Sequence, residues 1–182
     1  MACSNRILLY SRNMRRHHSM PAKFSTSAVD AVDGNIYFIE KPGGIRRCCL
    51  REFKRDPKAC GFFYFCDPTA EHSRIAINGN ILALTEKITG RIIILRTDVR
   101  SFQYIEPVYP PSFLCFYRDG GLLVTSSVWD TIMKYRPYQG QWSVEWVLNG
   151  LEGAAGVCID EHGQIFVGSR VKKVVYVVAA TG

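Results

Sequence analysis

Four stretches decide how this chain is read: Val32-Asp33-Gly34-Asn35-Ile36-Tyr37-Phe38, Asn78-Gly79-Asn80-Ile81-Leu82-Ala83-Leu84, Asp119-Gly120-Gly121-Leu122-Leu123-Val124 and His162-Gly163-Gln164-Ile165-Phe166-Val167. Their leading glycines are spaced 45, 41 and 43 residues apart. Each stretch is a turn dipeptide followed by an apolar run, the pattern of a hairpin turn and its second strand. Asp-Gly and Asn-Gly suit turns that need positive φ, because glycine adopts it without steric cost. His162-Gly163 is the weakest of the four signals.

Working outward, each glycine is preceded by a strand candidate: residues 28–32, 74–77, 113–117 and 156–160. Another apolar run begins eleven to thirteen residues after each glycine, at 45–50, 92–95, 132–135 and 174–178. Three units add a fourth run, at 62–65, 102–105 and 142–148. In the last of these Trp142, Val144, Trp146 and Leu148 alternate with Ser143 and Glu145 at period two, as a half-buried strand does. Four short strands in about 43 residues are one blade of a β-propeller. No unit holds apolar residues at helical spacing over ten positions. The sequence therefore predicts an all-β propeller of four-stranded blades, with a β-sandwich as the alternative fold.

Asn5-Arg6-Ile7-Leu8-Leu9-Tyr10 resembles Gly90-Arg91-Ile92-Ile93-Ile94-Leu95, so the first residues join the pattern midway through a blade. The last run, 174–178, is a third strand. Three complete blades and two partial ones are expected, either closing a small ring or forming part of a larger propeller. Uncovered strand edges predict self-association. By composition, residues 1–25 form a basic segment, a partial blade or a targeting peptide, and residues 26–182 carry the blades.

The 182 residues are 47% hydrophobic and 21% charged, which excludes disorder and a small disulfide scaffold. The longest apolar run, Val174 to Ala180, is too short to span a bilayer. The net charge is +7, and all of that excess lies in residues 1–58. No acid precedes Asp30, and arginines there alternate with serines, as in mitochondrial transit peptides. The odd count of seven cysteines and the lack of a signal-peptide core point instead to a reducing compartment and a cytoplasmic protein. Cys115 and Cys158 share one repeat position, five residues before the glycine, and are expected as small core residues. Cys48, Cys49, Cys60 and Cys66 lack the Cys-x-x-Cys spacing of a zinc site.

Residues 150–167, with Gly156-Val157-Cys158-Ile159-Asp160 ahead of Gly163-Gln164-Ile165-Phe166-Val167, resemble the blade opening of NHL-repeat proteins. The same style is similar to strictosidine synthase-like and regucalcin/gluconolactonase propellers, and Ala31 to Glu40 fits it equally well. The resemblance implies six blades in the intact fold. For the gluconolactonase kind it also implies a metal at the central channel, held by Glu, Asn and Asp at the starts of inner strands. The matching positions are Thr26-Ser27-Ala28-Val29, His72-Ser73-Arg74-Ile75, Pro111-Ser112-Phe113-Leu114 and Ala154-Ala155-Gly156-Val157. They contain no Asp, Glu or Asn, so no metal, cofactor or catalytic residue is assigned.

Binding is the reading that remains. Loops between second and third strands share one rim with the links that enter each first strand. Binding residues concentrate on such loops over a rigid scaffold. The rim candidates are Lys41, Lys87, Trp129, Asp130, Arg170 and Lys172, with Trp129 as the anchor for a protein partner. Arg46, Arg47, Arg51, Lys54 and Arg55, with Phe53 among them, supply the alternative, an RNA-binding NHL-type surface. A hydrolase or lyase of the strictosidine synthase-like or gluconolactonase class is the third reading.

Overall fold

In the computed structural model, residues 2–3, 6–10, 16–21, 26–32, 34–40, 44–55, 61–65, 72–86, 88–99 and 101–179 are described. Among them the chain is nearly all β, in five antiparallel sheets that follow one another along the sequence. The first blade holds β1 (Ala2–Cys3), β2 (Arg6–Tyr10) and β3 (Arg16–Pro21). The second holds β4 (Thr26–Val32), β5 (Asn35–Glu40), β6 (Gly44–Cys49) and β7 (Gly61–Phe65). The third holds β8 (His72–Asn78), β9 (Ile81–Glu86), β10 (Ile92–Arg96) and β11 (Ser101–Ile105). The fourth holds β12 (Phe113–Phe116), β13 (Leu122–Ser126), β14 (Thr131–Tyr138) and β15 (Gln141–Leu148). The fifth holds β16 (Ala154–Ile159), β17 (Ile165–Ser169) and β18 (Val175–Val178). The described residues thus give three four-stranded and two three-stranded sheets, as the repeat predicts.

Two compact units divide the chain. One comprises 1–75 and 86–88, the other 76–85 and 89–182. In the first unit, β5 buries Ile36, Phe38 and Ile39 and pairs with both β4 and β6. One element there departs from expectation. Leu50–Arg55 form a six-residue helix, α1, where a strand end and turn are predicted. A single turn is too short to show apolar periodicity in the sequence. Cys48 is buried and disulfide-bonded, its partner lying outside the described side chains.

The second unit stacks sheet on sheet. β13 is buried along its whole length, and its alternate residues serve two cores. Leu122 and Val124 join Ile92, Ile94, Met133 and Tyr135. Leu123 joins Ile132, Leu151, Ala154, Ile165 and Val167 on the opposite side. Hydrogen bonds stitch the fourth blade to the fifth: Thr125 Oγ1 donates to Ala155 O at 2.6 Å and Tyr117 Oη to Gly163 O at 3.1 Å.

The leading glycines behave as the turns require, with φ of 71°, 55°, 81° and 86° at Gly34, Gly79, Gly120 and Gly163. The weak His162-Gly163 signal has a compensation. Asp160 Oδ1 accepts the backbone N–H of both His162 and Gln164 at 2.8 Å, building the turn with a side chain. The shared cysteine position is corrected. Cys115 is half-buried and Cys158 exposed, neither in a disulfide, and no described blade covers the face of the fifth blade that carries Cys158.

Lys134 is buried on the outer half of the fourth blade and bridges Asp119 Oδ2 at 2.6 Å and Glu145 Oε2 at 3.0 Å, over the ring of Tyr117. Partial burial pushes the Asp119 carboxyl up, but hydrogen bonds from Lys134 and Gly121 and the charges of Lys134 and Arg136 outweigh it and hold the carboxyl below its ordinary value. Burial disfavours the Lys134 ammonium, yet its hydrogen bonds to Asp119 and Glu145 raise it above its ordinary value. The depressed Asp119 therefore adds stability that is full above pH 3.8 and is lost as pH falls through its folded value. The raised Lys134 adds stability that is full below pH 10.5 and is lost as pH rises through its folded value.

Two outcomes are expected in urea unfolding. Asp119→Asn makes the acid limb of the stability–pH curve shallower than in the unaltered chain, and an unchanged limb would discount the bridge. Leu123→Ala, at a fully buried position in the core between the fourth and fifth blades, costs about 2–5 kcal/mol.

Candidate functional site

Four connections of the second unit meet at one rim: the link 106–112 into β12, the loop 127–130 after β13, the link 149–153 into β16, and the loop 170–174 after β17. Sequence explains the first. Pro110 biases Tyr109 before it toward extended backbone, and the half-buried Tyr109 packs against the core of the third and fourth blades. Tyr109 stacks on Trp129 with ring centroids 5.0 Å apart and an interplanar angle of 24°. Trp129 stays 56% exposed. It does not fold back between blades; it stands on the rim, braced from one side.

Asp130 next to it does a different task. At φ 55° it turns the chain, its Oδ1 accepts Gly153 N–H at 2.6 Å, and its carbonyl accepts Leu151 N–H at 2.8 Å. Asp is among the few non-glycine residues that tolerate this backbone region. Oδ1 of its half-buried carboxylate is spent on the Gly153 N–H, so Asp130 positions the neighbouring link.

Gly153 carries the clamp onward. It has φ 68°, and a Cβ there would come within 2.8 Å of Val171 N. Its carbonyl accepts Arg170 N–H at 3.0 Å. Ser169 Oγ donates to Glu152 O at 2.6 Å and accepts Lys172 N–H at 2.9 Å. Lys172 Nζ pairs with Glu152 Oε2 at 2.9 Å, and this hydrogen bond raises the Lys172 ammonium above its ordinary value. An unbroken chain of contacts thus runs from Trp129 through Asp130 and Gly153 to the loop that bears Arg170, Val171 and Lys172. On this fixed base stand Val108, Val128 and Val171, all exposed, around the Trp129–Tyr109 stack, with Arg170 exposed at the margin.

The other candidates are dispersed. Lys41 and Lys87 lie outside the described residues. Arg46 and Arg47 are neighbours on β6, paired with Phe38 and Tyr37, so they face opposite sides of their sheet. Arg51, Lys54 and Arg55 sit on α1 and not on the predicted turn. At the inner-strand starts, Ser112 Oγ and Ser127 Oγ share a hydrogen bond of 2.9 Å, and Ala154 and Ala155 are buried. Among the described residues no three His, Cys, Asp or Glu side chains converge on a metal-sized position. Tyr109, Val108, Glu152 and Gly153 are site residues that the sequence reading missed. The Tyr-Pro-Pro step was the available signal for Tyr109.

Comparison with known proteins places the fold. No protein-family model matches the chain, and no curated protein matches it in sequence. Solved structures do. Virginiamycin B lyase from Staphylococcus aureus superposes with a TM-score of 0.70 at 15% identity, over 98% of this chain and 61% of that one. A putative gluconolactonase superposes at 0.74 with 14% identity, over 96% of this chain and 67% of that one. A chain of a nidogen/laminin complex superposes at 0.68 with 18% identity, over 92% of this chain and 68% of that one. The chain spans about 61% of the length of the lyase it matches. The fold is a β-propeller resembling the lyase and gluconolactonase propellers.

Neighbouring residues should separate on substitution. Asp130→Ala removes the part-buried acceptor of the Gly153 N–H and is expected to cost about 1–3 kcal/mol in thermal or urea unfolding. Trp129→Ala loses one exposed ring stack and is expected to cost about 1 kcal/mol or less.

Proposed function

We propose that this chain is a non-catalytic propeller module that binds a protein partner through the Trp129 rim. One observation carries the reading: a tryptophan held half out of the surface on a tyrosine, over loops locked to one another by Asp130 and Gly153. A pre-positioned aromatic anchor binds with little ordering cost. Exposed Val108, Val128 and Val171 around it, with Arg170 at the margin, have the make-up of an interface: an apolar centre and a polar rim. The propeller from the nidogen/laminin complex shows that a fold of this kind occurs in a protein–protein assembly.

The other readings have less support. An RNA surface needs its cations on one side, and Arg46 and Arg47 divide between two faces. A metal site of the gluconolactonase kind needs Asp, Glu and Asn at the inner-strand starts, and the four matching stretches, which open at Thr26, His72, Pro111 and Ala154, contain none.

The test uses a photoreactive residue at position 171 to capture the partner, followed by titration with the purified partner. Trp129→Ala is expected to weaken that complex by about 2 kcal/mol, roughly thirtyfold, with a modest salt dependence. An unchanged affinity would sink the proposal. A steep salt slope with a 20-nucleotide uridine RNA, lost in Arg51→Ala and Arg55→Ala, would move the assignment to RNA.

A further inference from the structure

Two loops of the rim are built alike. Residues 127–130 join Ser126 to Thr131, which pair across β13 and β14. Residues 170–173 join Ser169 to Val174, where Ser169 N–H donates to Val174 O at 2.8 Å. Asp130 and Lys173 then fall at the same place, with φ of 55° and 56°. Val128 and Val171 fall together, and both are exposed. Ser127 and Arg170 open the two loops, and each is bonded to the link into its own blade. Ser127 N–H donates to Ser112 Oγ at 3.0 Å, and Arg170 N–H to Gly153 O at 3.0 Å. The fourth blade has described blades on both sides, so its loop shows what each place does. The last place, Asp130, meets the following link through Gly153 and Leu151. The second place, Val128, stays exposed beside that link.

Charge is distributed unequally over this rim. Each of its acids is engaged. Glu106 Oε1 lies 2.6 Å from Arg91 Nε, Asp130 Oδ1 accepts Gly153 N–H at 2.6 Å, and Glu152 Oε2 lies 2.9 Å from Lys172 Nζ. Arg170 is exposed and forms no ion pair among the described residues. Lys173 is exposed as well, but it holds the place that meets a following link in the fourth blade. Arg170 is therefore the cation that belongs to the surface. Gly153 fixes where it stands, since this one residue bonds to Asp130 beside Trp129 and to the backbone of Arg170.

Granted the Trp129 rim as the binding surface proposed above, we infer that its partner is a protein segment in which an aromatic or aliphatic residue lies within a few residues of an Asp or Glu. The apolar side chain packs on Trp129 and Val128, and the carboxylate meets the Arg170 guanidinium. The planar guanidinium presents paired N–H donors that match a carboxylate, and such charge-assisted bonds carry geometric selectivity. A cationic segment finds the rim acids already engaged and Arg170 repelling it. A phosphorylated segment brings a charge of about −2 next to Asp130 and Glu152, with Arg170 as the one unengaged base to offset it. A single carboxylate fits this balance best. The apolar contact supplies affinity, and the charge selects the partner and its orientation.

The probe is a phage-displayed library of random peptides, selected on the full chain and counter-selected on Trp129→Ala. Clones that need Trp129 are made as capped peptides and titrated into the unaltered chain and into Arg170→Gln. Asp or Glu is expected to be enriched near an aromatic or aliphatic residue. Affinity is expected to fall about fivefold in Arg170→Gln, and by the same factor when the peptide acid is replaced by its amide. The two changes together are expected to cost no more than either alone, which marks a direct pair. Arg170→Gln alters an exposed side chain and keeps the main-chain bond to Gly153, so a folded protein is expected, checked by its thermal unfolding. Trp129-dependent peptides without acid enrichment, or with affinities unmoved by Arg170→Gln, overturn the acidic partner and leave the rim standing. Enrichment of Lys and Arg overturns it likewise. A library that yields no Trp129-dependent clone overturns both the rim and its acidic partner.

Discussion

The structure depends on strands that are buried on both faces. β13 is the clearest: all five residues from Leu122 to Ser126 are buried, and odd and even positions feed different cores. Such a strand has no stable existence in an isolated sheet, because half of its apolar surface would face water. The fourth blade is therefore held by the third and the fifth, which is the logic of repeat architectures. Once the strands are fixed in this way, the loops at their ends start from fixed points, and short loops between fixed points have few conformations.

That dependence explains what the sequence made legible. Period and strand number were visible because the second strands β5, β9, β13 and β17 are each a largely buried apolar run behind a turn, and because Gly34, Gly79 and Gly120 mark turns whose backbone only glycine accepts cheaply. Equivalence by position failed where the neighbour changes. Cys115 and Cys158 share a place in the repeat, but only the former has a described blade against both faces of its sheet. The helix Leu50–Arg55 was hidden for a different reason, since one turn leaves no periodic trace.

The candidate site was legible in part. Trp129 stood out by residue type, and it stands exposed on the ring of Tyr109. Its neighbour Asp130 was chosen on the same loop and has the opposite role, bound inward to Gly153. Residue type and loop position do not distinguish an outward carboxylate from one spent on a backbone N–H. Tyr109 was missed because its contribution is a contact across twenty residues of sequence, which no local pattern encodes.

The turn at Asp160 bears on how far such a chain can drift. A carboxylate that accepts two backbone N–H groups supports Gly163 where an Asp or Asn stands directly before the glycine in the other turns, so the aspartate acts from three residues upstream. Geometry is then preserved although the side chain that holds the turn has moved along the sequence. A blade can exchange its whole turn signature piece by piece while the strands on either side stay where they are. The silence of sequence comparison, set beside superposition on propellers at 14–18% identity, is what a fold maintained by interchangeable solutions looks like.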